Sequence, residues 1–173
     1  DLTLEDALAM GRIPSVSAVA PMLPGTALLA YGSRSRDAIT LGTTRPFFAI
    51  RHIDVAAGKL LPESAATEAA SVCVLGLKLK TELFGNANAV GEWLRIGDRR
   101  MRVIGVLADA GESLGMDLGE VALIPVATAQ QLFNTQAMFR VFVELQVGAD
   151  EAVISKRLLQ LVRERHDGED DIT

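Results

Sequence analysis

An α+β domain is what this sequence predicts, and three features carry that expectation. Residues 71–107 read in succession as a strand, a tight turn at Gly76, a helix and a hairpin. Residues 16–43 alternate strand-type runs with turn residues, and helical periodicity closes the chain over residues 152–166. The order of elements is helix, strands, helix, strand, helix, hairpin, strand, helix, strand, helix.

Taken from the start, Thr3 followed by Asp6 is a helix-start pattern. Leu4, Ala7 and Leu8 fall on one face, and Gly11 stands just past the end. Strands are expected over residues 16–20, 26–31 and 38–43, with a polar turn over 32–37, giving an antiparallel meander. Residues 44–48 suit a turn or one helical turn, 50–61 an irregular stretch, and the Ala- and Glu-rich residues 63–70 a helix.

In the central unit, Val72, Cys73, Val74 and Leu75 form an unbroken apolar strand. Residues 77–84 form a helix capped by Gly85. Gly97-Asp98 then supplies the positive φ of a two-residue hairpin turn. That register sets Leu94 against Met101 and Trp93 against Arg102, where a cation can cover an indole face. It also sets Arg95 against Arg100 at a small cost. Residues 109–120 form a Gly-rich loop, 121–124 a strand ended by Pro125, and 128–133 a helix with Thr128 as cap. Residues 139–147 alternate with Val141, Val143, Leu145 and Val147 on the buried face, before the last helix and an acidic end at Glu169, Asp170 and Asp171.

Composition narrows the function classes. The chain has 173 residues, 49% of them hydrophobic and 23% charged, as in a soluble globular protein. A net charge of -5, with no basic and aromatic cluster, argues against nucleic acid as a partner. Two charge-free windows, 13–33 and 121–139, approach the length of a membrane span, but their prolines and amides fit soluble strands and turns better. The start at Asp1 without Met and the stop at Thr173 suggest a piece of a longer protein.

No constellation of reactive groups is visible, so no catalytic, cofactor-binding or metal-ligating residue is expected. Gly76 lacks the companions of a phosphate loop, and Cys73, the only cysteine, sits in an apolar run suited to packing. His52 and His166 lack metal-site spacing, and the acidic end lacks the alternation of a calcium loop. With 5% aromatic residues, Trp93, Phe47 and Phe48 are claimed first by the core. The loop residues Leu114, Met116 and Leu118 can either tuck onto the core or form an exposed contact, and they are the candidate partner or substrate contacts.

An ordered series of short motifs runs through the chain: Leu2-Thr3, Ile13-Pro14, Ala20-Pro21, Leu41-Gly42-Thr43-Thr44, Ala57-Gly58-Lys59, Leu83-Phe84-Gly85, Val90-Gly91, Val103-Ile104-Gly105-Val106-Leu107 and Arg165-His166. The series resembles the periplasmic core domain of MacB-type, FtsX-like ABC transporter permeases, over nearly the whole chain. Lys59, Ala89 and Ile172 depart from the usual pattern.

The resemblance implies a split porter-like α/β subdomain, residues 1–62 and 138–173, carrying a smaller inserted α/β subdomain, residues 63–137. It implies a non-enzymatic domain at the periplasmic face of the bacterial inner membrane, lying between membrane helices of the full-length protein. That domain would couple ATP-driven motion to a periplasmic adaptor or a substrate in efflux or export. The implied partners are an ABC ATPase, the adaptor and a second permease copy. The alternative is a lipoprotein- or peptide-binding domain of a lipoprotein-release-type permease.

Overall fold

The computed structural model describes residues 2–109, 112–113 and 115–166. The chain begins with α1 (Leu4–Met10). Its N-terminus is closed by a capping box, in which the Asp6 N–H donates to Thr3 Oγ1 (3.2 Å) and the Thr3 N–H donates to Asp6 Oδ2 (3.0 Å). Leu4 and Ala7 are buried as the spacing predicts, whereas Leu8 is 40% exposed.

The two strands expected over 16–31 are one continuous strand, β1 (Val16–Tyr31), and it turns directly into β2 (Arg34–Thr43). Pro21 and Pro24 do not break β1, because it changes partner between them. Residues up to Met22 pair with β10 (Arg140–Leu145), and those from Leu23 pair with β2. Prolines are tolerated where one ladder hands over to another and a missing N–H leaves no gap.

After β2 come α2 (Pro46–Ile50), with Pro46 in its first turn, and β3 (Val55–Gly58). The helix expected over 63–70 is instead a run of turns. Thr67 and Glu68 both donate to the Ser64 carbonyl, and Ala127 donates to the Ala65 carbonyl, so tertiary contacts override helix propensity there.

The central unit forms as expected: β4 (Val72–Leu75), α3 (Leu77–Phe84), β5 (Trp93–Ile96) and β6 (Arg99–Leu107). The register pairs Trp93 with Arg102, Leu94 with Met101 and Arg95 with Arg100. Gly97, at φ 61°, makes the turn. Two short strands, β7 (Glu112–Ser113) and β8 (Met116–Asp117), and a 3-10 turn lead into β9 (Ala122–Pro125). Pro125 ends that strand and caps α4 (Val126–Leu132), so the helix starts earlier than expected. Thr128 lies inside it, donating to the Ala70 carbonyl at 2.7 Å rather than capping. The last helix, α5 (Glu151–Arg165), is capped by Asp150. Val147, expected on the buried face of β10, lies beyond its end and is fully exposed.

Strand pairing closes on itself, running β1–β2–β9–β4–β6–β5 and back to β1 through Leu29↔Ile96 and Ala30↔Arg95; β10 and β3 flank this ring. Residues 63–137 are therefore joined to the flanking segments by three ladders, β2 with β9, β1 with β5 and β3 with β6. One eight-stranded sheet thus holds strands from both of the expected parts, β10 with β4 and β6 among them.

Inside the ring lie Leu29, Cys73, Leu75, Leu94, Ile96, Met101 and Val103, covered by Leu79 and Leu83 of α3 and Val126 and Ala129 of α4. A second cluster, with Phe47, Phe48, Ile53 and Leu61, covers part of the outer face. Phe47 and Phe48 are 0% and 1% exposed, and burial of each contributes about 3 kcal/mol. A third, smaller cluster places Ile154 of α5 against Ile13 and Val16.

Candidate functional site

Two places stand out as candidate sites: the paired strands β7 and β8 with the 3-10 turn that follows, and the meeting point of α1 and α5. The first is pinned from below. Gly76 lets the loop approach α3 so closely that a Cβ there would lie 2.1 Å from the Leu118 carbonyl oxygen. Lys78 then pairs with the Asp117 carboxylate. The Asp117 carboxylate also accepts the Gly119 N–H at 2.8 Å, which starts the 3-10 turn.

The Lys78 hydrogen bond holds the Asp117 carboxyl below its ordinary pKa, and the same contact raises that of Lys78. Arg36 reaches Glu82 at 2.7 Å and Glu120 at 3.0 Å, tying β2, α3 and the loop together. Burial disfavours its charge, but the two carboxylates outweigh that and raise its pKa.

Of the expected contact residues, Leu114 lies outside the described residues. Met116 is half-buried against the second cluster and borders an open groove of about 390 Å³ with Thr26 and Ile39. Leu118 is 1% exposed and belongs to the core, so its side chain is not presented to a partner. Alternation of apolar residues in the loop could not reveal this, because the 3-10 turn rotates Leu118 inward.

The second place was not legible as a site. Asp6 is 2% exposed, yet its carboxylate is fully used: Arg165 Nε donates to Oδ1 at 2.8 Å, and His166 Nε2 lies 2.8 Å from Oδ2. Burial pushes its pKa up, but the hydrogen bonds from His166, Arg165 and Thr3 together outweigh burial and bring it from 3.8 to about 2. The contact joins α1 to the end of α5 across nearly the whole sequence, and Met138 reinforces it by donating to the Leu2 carbonyl at 2.8 Å. The available signal was a Thr-x-x-Asp start paired with a basic last turn, two motifs far apart in sequence.

The Cys73 thiol is fully buried and pushed up to about 12 by desolvation. His166 is engaged with Asp6, and His52 sits at φ 54° on the exposed surface. Among the described residues no group of His, Cys, Asp and Glu could hold a metal ion. Likewise, no helix among them is long and apolar enough to cross a membrane.

Fold and surface together define a mixed α+β domain whose first and last helices are clasped through Asp6. The chain belongs to the MacB-like periplasmic core domain family, whose profile matches residues 1–161. It is 31% identical to the pyoverdine export ATP-binding/permease protein PvdT of Pseudomonas entomophila, over 98% of this chain and 26% of that protein. It is 23% identical to the macrolide export ATP-binding/permease protein MacB of Vibrio parahaemolyticus, over 99% of this chain and 26% of that protein. The chain thus spans about a quarter of the length of these relatives. The periplasmic region of MacB from Actinobacillus actinomycetemcomitans has the same fold, with a TM-score of 0.85 at 23% identity, covering 98% of this chain and 77% of that one. The extracellular domain of the transporter YknZ from Gram-positive bacteria follows at a TM-score of 0.83 and 19% identity, covering 97% and 86%.

Proposed function

We propose that this is the extracytoplasmic domain of an ABC transporter permease at the periplasmic face of the inner membrane. In this role it carries ATP-driven motion of the membrane part outward to a periplasmic adaptor or substrate. The observation that supports the reading is the Asp6 clasp. It fastens the helix that opens the domain to the helix that closes it, so a push delivered at either end moves one body instead of prising the ends apart.

β1 then carries that movement away from the clasp. Its Val16 end packs with α5, and its 16 residues reach about 50 Å to the β1–β2 turn. The ATPase, a second permease copy and the adaptor are the partners this role requires, and no step in it needs catalysis by the domain. Met116 on the pinned strand β8 remains the proposed point of adaptor or substrate contact there, alongside Leu114. The test is to follow the distance between spin labels on the two permease copies through the ATPase cycle of the full-length protein. A change in distance between nucleotide states supports coupling, and a static distance overturns it.

A further inference from the structure

The outer face of the closed ring is only partly covered. Leu29, Leu94, Ile96, Met101 and Val103 point inward and are buried, so their neighbours Ala30, Trp93, Arg95, Arg100 and Arg102 point outward. Three arginines thus meet on one exposed patch: Arg95 stands directly opposite Arg100, and Arg102 directly opposite Trp93. Arg100 lies 4.3 Å and Arg102 5.6 Å from the Trp93 ring centre, and the indole itself is 40% exposed.

The patch continues sideways. Arg102 pairs with Val72 of β4, and Val72 and Ile104 line an open groove of about 560 Å³ together with Arg45, Lys59, Leu60 and Glu63. Arg45 and Lys59 are both exposed. Among the described residues none of these five cations forms an ion pair with a carboxylate, and the nearest polar contact is the Arg95 guanidinium on the Asp98 carbonyl at 3.4 Å. The carboxylates in the neighbourhood are Glu63 in the groove, Glu92, which accepts from the Tyr31 hydroxyl at 3.4 Å, and Asp98 in the turn.

A chain of net charge -5 has carboxylates to spare, yet it sets like charges opposite one another on this face. Such an arrangement costs folding stability and is expected where an external partner supplies the missing charge. Trp and Arg are also the residues that dominate protein–protein contacts.

We propose that the ridge of Arg95, Arg100 and Arg102, with Trp93 and the adjoining Arg45–Lys59 groove, binds an acidic, extended segment of a partner polypeptide. Resting on the coupling role proposed above, this contact gives the partner a face and a chemistry. Its failure leaves that role standing, because label distances between permease copies do not depend on it.

Trp93 is the only tryptophan, so its fluorescence reports the site directly. The domain is titrated with a synthetic peptide alternating Glu and Val, with its Gln counterpart, and with phosphatidylglycerol vesicles. The expected result is a saturable Trp93 response to the Glu peptide alone, weakened by salt. Joint replacement Arg100→Gln and Arg102→Gln weakens it about tenfold, while Lys156→Gln with Arg157→Gln on α5 leaves it unchanged. The Arg100→Gln protein should unfold at the same denaturant concentration as the parent or a higher one, which a purely structural arginine would not allow. No response to the Glu peptide, an equal response to the Gln peptide, a response to the vesicles in its place, or a clear loss of stability in Arg100→Gln would each overturn the proposal.

Discussion

Replacing Asp6 with Asn keeps the size and the hydrogen-bonding shape of the side chain but removes the charge that holds Arg165 and His166. The magnitude follows from the carboxyl itself, whose pKa falls from 3.8 to about 2 on folding, equivalent to about 2 kcal/mol. Because the group is 2% exposed, solvent screening removes little of that. With a urea dependence of about 2 kcal/mol per molar, the unfolding midpoint of Asp6→Asn at neutral pH should drop by about 1 M.

The sign of the pH dependence is fixed by the depressed pKa. The stabilisation is complete above the unfolded value of 3.8 and fades as pH falls toward about 2, so the gap between parent and variant should narrow over that window. Urea titrations followed by circular dichroism at neutral and acidic pH measure both. Coincident midpoints at neutral pH, or a gap that ignores pH, would refute the clasp as a source of stability.

Two further outcomes follow from packing. Gly76→Ala puts a Cβ against the Leu118 and Gly119 carbonyls, backbone atoms that cannot swing aside, and should cost about 3 kcal/mol by thermal unfolding. A loss under about 1 kcal/mol would mean the loop can retreat from α3. Cys73, buried and with its thiol raised to about 12, should resist a polar maleimide in the folded protein and react promptly in denaturant; fast labelling of the folded state would contradict its place inside the ring.

Local chemistry made much of the fold legible. Thr3 and Asp6, Gly76, Gly85 and Gly97-Asp98 each sit where a cap or turn demands them, and the β5–β6 register followed from matching Leu94 with Met101. What escaped was decided by distant partners. Pro21 and Pro24 looked like breaks because nothing local announces that β1 exchanges β10 for β2 between them. Residues 63–70 carry helix-forming Ala and Glu, yet Ala65 is fully buried and its carbonyl is claimed by Ala127.

The sites divide in the same way. The pinned loop could be suspected from its glycines, but Leu118 turned inward with the 3-10 turn that Asp117 caps. The hairpin register already set Arg95 opposite Arg100 and Arg102 opposite Trp93, whereas neither the Asp6 clasp nor the continuation of the ridge into its groove could be read from spacing. The clasp joins residues 159 and 160 positions apart, and the ridge continues past its hairpin into a groove whose lysine and arginine come from two other segments.

The coupling role meets its most direct test in the full-length permease, with spin labels at the exposed positions Glu5 on α1 and Lys156 on α5. Distances are measured within one copy and between the two copies, in nucleotide-free and ATP-bound states. If the clasped domain carries motion as one body, the distance within a copy stays constant while the distance between copies shifts. A fixed distance between copies, or a clasp that opens within one copy, would contradict it.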